Sequence, residues 1–236
     1  MARGSDTFSW HEFIRQEVVS VNSPLLKSFY ASQNFPEDLT LDQAEYVALD
    51  FETTGLDPKT DEIVSIGLVP FNLKRIKVAE AKHWIVRPKC KLSDDSIVIH
   101  GITHSEVSAA PRISEVLEQV LKALEGKVVV VHYQYIERQF LNRAVEGVLG
   151  EELWFPMLDT MRFEAMLYRD GWRTKLKRLF GSKLVSIRLV DSRLRYGLPR
   201  YHMHSAVTDA IATAELLQAQ IRHRFDESVR VTDLWQ

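Results

Sequence analysis

The stretch Ala48-Leu49-Asp50-Phe51-Glu52-Thr53-Thr54-Gly55-Leu56-Asp57-Pro58 decides the fold. It opens within an alternating, β-rich run over 45–52. Side chains alternate along a strand, so Asp50 and Glu52 project to one face while Val47, Leu49 and Phe51 anchor the other. Two carboxylates held together on a hydrophobic strand repel each other. A hard divalent cation such as Mg²⁺ takes oxygen ligands and resolves that repulsion. On spacing alone, two water-stabilised acids at an exposed strand end remain an equal reading.

Around this strand the pattern is α/β. Residues 62–71 (EIVSIGLVPF) predict a second strand and 76–86 a third. Residues 111–126 predict an amphipathic helix with Val116, Val120, Leu121 and Leu124 on one face. The run KVVVV at 127–131 fits a central strand buried on both sides. Helical spacing of Ile136, Phe140, Leu141, Ala144 and Val148 predicts a helix over 135–148, with further helices over 161–168, 174–180 and 205–224. Three strands, a helix and then a buried strand between helices imply a mixed sheet covered on both faces.

The first forty-odd residues read differently. Asp6 or Thr7 is expected to cap a helix reaching Val19, and Ser23-Pro24 to start another reaching Ala31. Residues 1–43 are thus a two-helix N-terminal appendage, 44–225 the main domain and 226–236 a C-terminal tail. The appendage is expected to clasp the domain through Phe8, Trp10, Phe13, Leu25, Leu26 and Tyr30, with a homodimer or protein-partner contact as the alternative.

Composition sets outer bounds. The chain has 236 residues, 45% hydrophobic and 26% charged, which suits one large domain with its own core. Cys90 is the single cysteine, so no internal disulfide forms, which suits a reducing cytoplasm. No apolar run approaches the roughly 20 residues that span a bilayer, and no secretory leader is visible, so a cytoplasmic protein with no membrane partner is expected. With a formal net charge of −2, any nucleic-acid surface must be local.

Two further motifs carry chemistry. His132-Tyr133-Gln134-Tyr135-Ile136-Glu137 starts where KVVVV ends, and carboxyl ends of central strands are where α/β folds place ligands. Glu137 would enter the first turn of the next helix, where the helix dipole alone also favours an acid. His202-Met203-His204-Ser205-Ala206-Val207-Thr208-Asp209 places His204 before a helix start and Asp209 about one turn inside it. Histidine titrates near neutrality, so His204 can serve as a base. A capping cluster is the plainer reading of the same residues, and His202 is left structural.

These three signals, in this order and with these gaps, resemble the DEDDh exonucleases, the DnaQ-type superfamily that includes polymerase III epsilon-like domains. The resemblance covers roughly residues 45–224. His100-Gly101-Ile102-Thr103 resembles the family's loop near the terminal nucleotide, and Asp159-Thr160-Met161 its Asp-Thr-Leu helix start. The resemblance implies a ribonuclease-H-like fold with a five-stranded mixed β-sheet flanked by helices. It implies that Asp50, Glu52 and Asp209, helped by Glu137, hold two Mg²⁺ or Mn²⁺ ions, and that His204 is the general base. It implies 3′→5′ exonuclease activity releasing nucleoside 5′-monophosphates. Thr53, Thr54, Leu56, His100, Gly101, Ile102 and Thr103 would line the pocket of the 3′-terminal nucleotide. The family's usual His-Asn-Ala-x-Phe-Asp is altered here to Tyr133, Gln134, Ile136 and Glu137, whose carboxylate reaches about one methylene further.

The substrate expected is a single-stranded or 3′-end nucleic acid, DNA ahead of RNA. Arg173, Lys175, Lys177, Arg178, Lys183, Arg188, Arg193, Arg195 and Arg200, with Trp172, Phe180, Tyr196 and Tyr201 among them, predict a surface that tracks phosphates and stacks bases, with a solvated basic surface over core aromatics as the plainer alternative. The alternative function is a nucleic-acid-binding or scaffold module whose nuclease site is weakened by Glu137. A dedicated polymerase proofreading subunit is a third reading, disfavoured by the short segment expected after the last helix.

Overall fold

Val47, Leu49 and Phe51 belong to one hydrophobic cluster, and Tyr46 and Ala48 to another on the opposite side of the same strand. That strand is β1, Tyr46–Thr53. It pairs antiparallel with β2, Ile63–Phe71, and parallel with β4, Val128–Val131. β3, Lys82–Ile85, lies outside β2, and β5, Leu158–Asp159, outside β4. The computed structural model, which describes residues 8–90, 102–169, 184–201 and 205–235, therefore contains a mixed five-stranded sheet of order β3-β2-β1-β4-β5. This is the expected ribonuclease-H-like arrangement.

Helices cover both faces. α1 (Trp10–Ser20), α2 (Pro24–Ser32), α4 (Ile113–Leu124) and α5 (Gln134–Leu149) contribute to the Val47/Leu49/Phe51 side. α6 (Thr160–Tyr168) and α8 (Ala206–Arg224) cover the other, where Phe163, Ala210, Ala214, Leu217 and Ile221 pack on Tyr46, Ala48, Val128 and Val130. Two short helices, α3 (His104–Ala109) and α7 (Leu189–Arg195), were not foreseen, nor was the two-residue β5. Elements this short carry too little periodicity to read. The helix expected over 174–180 lies outside the described residues.

The third strand is shorter than expected. Val78–Glu80 forms a 3₁₀ turn, and Ile76 makes only an isolated bridge to Phe71. The first helix starts later than expected: Ser9, not Asp6 or Thr7, is its cap and accepts from the Glu12 amide. Ser23 caps α2 with Pro24 at its first turn, as the sequence implies.

α1 and α2 lie on the sheet's first face. Ile14, Leu26, Phe29 and Tyr30 are fully buried there. Phe29 meets Phe155 edge-on at 5.0 Å, and the Tyr30 hydroxyl accepts from the Trp154 amide at 3.1 Å. Of the residues expected to anchor the clasp, Phe8 is 68% exposed and touches only its neighbours Trp10 and Phe13 among the ring contacts. The segment after α8 returns to the link between α2 and β1, where Leu41 and Val231 share the second cluster. Val231 donates to the Leu39 carbonyl at 2.9 Å, and Leu41 to that of Val229 at 3.0 Å.

Candidate active site

Four acids converge where β1, α5 and α8 meet. Strand alternation puts Asp50 and Glu52 on one face of β1, as expected. α8 brings Asp209 to them in its first turn. Oxygens of Asp50, Glu52 and Asp209 all lie within 4.8 Å of one another. Glu137, in the first turn of α5, stands outside that tight trio. It is nevertheless close enough for its charge to act on Asp50.

The close approach of α8 depends on a residue the sequence reading passed over. Gly67 pairs with Asp50 across β1 and β2. A methyl group there would lie 2.1 Å from the Ala206 carbonyl carbon, so no side chain fits between β2 and the start of α8. The available signal was a glycine inside a strand, which often marks such a contact.

Glu137 is aimed by a separate device. Asp159, the cap of α6, accepts from the amides of Met161 and Arg162 and also from those of Tyr133 at 3.0 Å and Gln134 at 3.1 Å. One carboxylate thereby ties the beginnings of α5 and α6 together. His132 adds a second tie. Its Nδ1 meets Thr160 Oγ1 at 2.8 Å and its Nε2 the Ile187 carbonyl at 3.1 Å. A carbonyl only accepts, so Nε2 carries the proton. Burial pushes the imidazole pKa down to about 4, which favours the neutral ring, and the Thr160 hydroxyl that meets Nδ1 also donates to the Val131 carbonyl at 3.0 Å.

Electrostatics at the cluster are unfavourable for bare protein. Burial raises the Asp50 carboxyl well above the usual carboxylate range, and the charges of Glu137, Asp209 and Glu52 raise it further. Glu137 is likewise raised, by burial first and then by Asp159 and Glu52. Among the described residues its buried Oε2 has no hydrogen-bond partner. Concentrated negative charge on hard oxygen donors is what a divalent cation of the Mg²⁺ or Mn²⁺ type matches. Asp50, Glu52 and Asp209 are the described residues that could hold such an ion.

The expected nucleotide-pocket residues are only partly grouped. Thr53 donates to the Gly55 carbonyl at 2.6 Å, Thr54 contacts Asp61 at 3.2 Å, and Leu56 is 78% exposed, all in the loop after β1. Ile102 is buried with Val64 and Val107, and Thr103 caps α3 through a reciprocal pair with Glu106. His100, Gly101, His202 and His204 lie outside the described residues.

The basic, aromatic segment is corrected in part. Arg193 is 2% exposed and bonds Glu215 at 2.7 Å and the Ala212 carbonyl at 2.7 Å. Arg195 pairs with buried Glu164 and also bonds the Ser186 carbonyl. The hydroxyls of Tyr196 and Tyr201 donate to Glu164 and Glu215. These four side chains are engaged in internal polar networks, because buried Glu164 and partly buried Glu215 require partners. Trp172, Arg173, Lys175, Lys177, Arg178, Phe180 and Lys183 lie outside the described residues.

A mixed sheet with clustered acids on its central strand, closed by a C-terminal helix carrying another, defines a nuclease-type α/β protein. The exonuclease family model RNase_T matches residues 47–217, and the chain belongs to this exonuclease family. DNA polymerase III PolC-type of Thermotoga maritima is 32% identical over 184 residues, which is 78% of this chain and 12% of that protein. A DNA polymerase III subunit epsilon-like protein of Rhodobacter capsulatus is 34% identical over 176 residues, 74% of this chain and 23% of the relative. The chain thus spans less than a quarter of either relative's length. Among solved structures, the nuclease domain of 3′hExo bound to rAMP, a DEDDh family member, superposes with a TM-score of 0.62 at 17% identity, over 79% of this chain and 95% of that one. Exonuclease X in complex with 5′ overhanging duplex DNA gives 0.59 at 21% identity, over 80% and 98%. At these identities the likeness is one of fold.

Proposed function

We propose that this chain hydrolyses nucleic acid stepwise from the 3′ end with two divalent cations and releases nucleoside 5′-monophosphates. The observation that carries this is the convergence of Asp50, Glu52 and Asp209 within 4.8 Å, with Glu137 beside them. Asp50, Glu52 and Asp209 would hold Mg²⁺ or Mn²⁺, with Glu137 assisting directly or through water. Two such ions stabilise the attacking and the leaving oxygen of an in-line displacement. Asp50 must be deprotonated to serve, and the cations' charge opposes the neighbours that raise its pKa. His204 takes the proton of the attacking water on its imidazole. His132, neutral and bonded at both nitrogens, is a positioning residue. Thr53, Thr54, Leu56 and the 100–103 loop hold the terminal nucleotide.

DNA stands ahead of RNA as substrate, which the DNA polymerase relatives support. Residues 1–43 act as a clasp on domain 44–225, with a homodimer or protein-partner contact as the alternative role. The test is digestion of single-stranded DNA, RNA and duplex oligonucleotides labelled at either end, with each metal. Mononucleotides released in order from the 3′ end carry the proposal. Binding without release in Mg²⁺ and Mn²⁺ sinks it in favour of a binding module.

A further inference from the structure

Two tyrosines sit at the turn from β4 into α5, the helix that carries Glu137, with their rings open to solvent. Tyr133 is 46% exposed and Tyr135 49%. Their ring centroids are 5.9 Å apart with planes inclined by 33°. Among the described residues neither hydroxyl has a hydrogen-bond partner. Ordinary burial therefore does not account for either ring.

The backbone beneath them is strained. Tyr133 has φ 89°, and among the described residues it is the one non-glycine with positive φ. A bulky residue there is a genuine outlier. The Asp159 carboxylate restrains the turn through the Tyr133 and Gln134 amides. The strain sits at the junction of β4 and α5, four residues before Glu137, and such outliers cluster at functional sites. Holding an exposed ring in a costly pose serves no packing purpose here. A flat partner adjacent to the carboxylates supplies one.

We propose that Tyr133 and Tyr135 form a stacking ledge for a nucleobase of the substrate strand, setting where its terminal phosphodiester falls relative to the carboxylates. The proposal rests on the exonuclease reading of the same site. Every base offers a π face, so such a ledge tolerates sequence. It favours unpaired strand, because a base in duplex is already stacked on its neighbours. Both tyrosines are positioning residues: they hold a base and do not act on the scissile phosphodiester.

The test uses the full chain and single-stranded DNA oligonucleotides carrying 2-aminopurine at successive positions from the 3′ end, in Ca²⁺. Stacking quenches this base, and anisotropy of a separate 5′ label reports affinity. The parent is expected to quench it at one position near the 3′ end. Tyr133→Gly and Tyr135→Ala should abolish that quenching and weaken affinity roughly tenfold. Tyr133→Phe and Tyr135→Phe should retain both. Glycine accepts positive φ freely, so Tyr133→Gly should keep its thermal midpoint while losing the ring. Unchanged quenching and affinity in the Gly and Ala variants overturn the ledge, as does a parent that fails to bind. Mononucleotide release from the same strands in Mg²⁺ is scored separately. Ring-dependent quenching without release sinks the hydrolytic reading and supports the ledge; release without ring-dependent quenching sinks the ledge alone.

Discussion

Gly67 and Ala206 touch backbone to backbone: a methyl group on Gly67 would stand 2.1 Å from the Ala206 carbonyl carbon and 2.3 Å from its oxygen. Gly67 is the cross-strand partner of Asp50, and Asp209 follows Ala206 by three residues. This contact sets the distance between two halves of the acid cluster. Gly67→Ala should push the start of α8 outward, because backbone atoms cannot rotate away. A cost of about 1–3 kcal/mol in stability is expected, with mononucleotide release reduced far more than that cost implies. Release measured well below the variant's thermal midpoint checks this, and near-parental turnover would contradict it.

Asp50→Asn should remove hydrolysis and yet stabilise the metal-free protein. The folded pKa of Asp50 is raised, so the native state binds its proton more tightly than the unfolded chain does. The associated stability is full below the ordinary carboxylate pKa near 4 and is lost as pH rises through the raised value. In EDTA the parent should therefore lose stability relative to the variant as pH rises from about 4. Mg²⁺ should raise the parent's thermal midpoint and leave the variant's nearly unmoved. Parallel pH profiles for the two proteins would refute the charge argument.

Glu137 stands outside the trio of carboxylates, which supports action through an intervening water. Glu137→Asp should then change the rate only modestly, while Glu137→Ala should lower it by about 10–100-fold. The measurement is kcat across Mg²⁺ and Mn²⁺ titrations. An alanine variant as active as the parent would reduce Glu137 to a helix-start acid.

His132 predicts an acid weakness of opposite sign to Asp50. Its folded pKa, about 4, lies below the usual 6.5 because the ring is buried. The native state then binds fewer protons, so stability is full above pH 6.5 and falls as pH drops to about 4. The gap of 2.5 units amounts to roughly 3 kcal/mol. His132→Gln should flatten that limb in urea melts at constant Mg²⁺. A variant with the parent's full acid slope would show that the ring is not the group titrating.

The appendage should contribute mainly to stability. Phe29 is fully buried against Phe155, so Phe29→Ala should cost about 3–5 kcal/mol. Phe8→Ala, at an exposed ring, should stay within roughly 0.5 kcal/mol. Urea midpoints at a common slope decide both, and turnover by Phe29→Ala at low temperature should remain near the parent's.

Local rules made much of this protein readable from the chain alone. Alternation along 46–53 determined that Asp50 and Glu52 share a face, and the unbroken valines of 128–131 that their strand is buried on both sides. Helical spacing located α4, α5 and α8, and Ser23-Pro24 the start of α2. Each follows from neighbours only a turn or a pleat away. Contacts between distant segments were decided by the tertiary structure. The chain's pattern does not say that Gly67 receives Ala206, that Asp159 serves two helices, or that Arg193 and Arg195 turn inward to Glu215 and Glu164. A basic run looks alike whether it faces water or a buried acid. Which it faces depends on desolvation, and desolvation is set only when segments far apart in sequence close over one another.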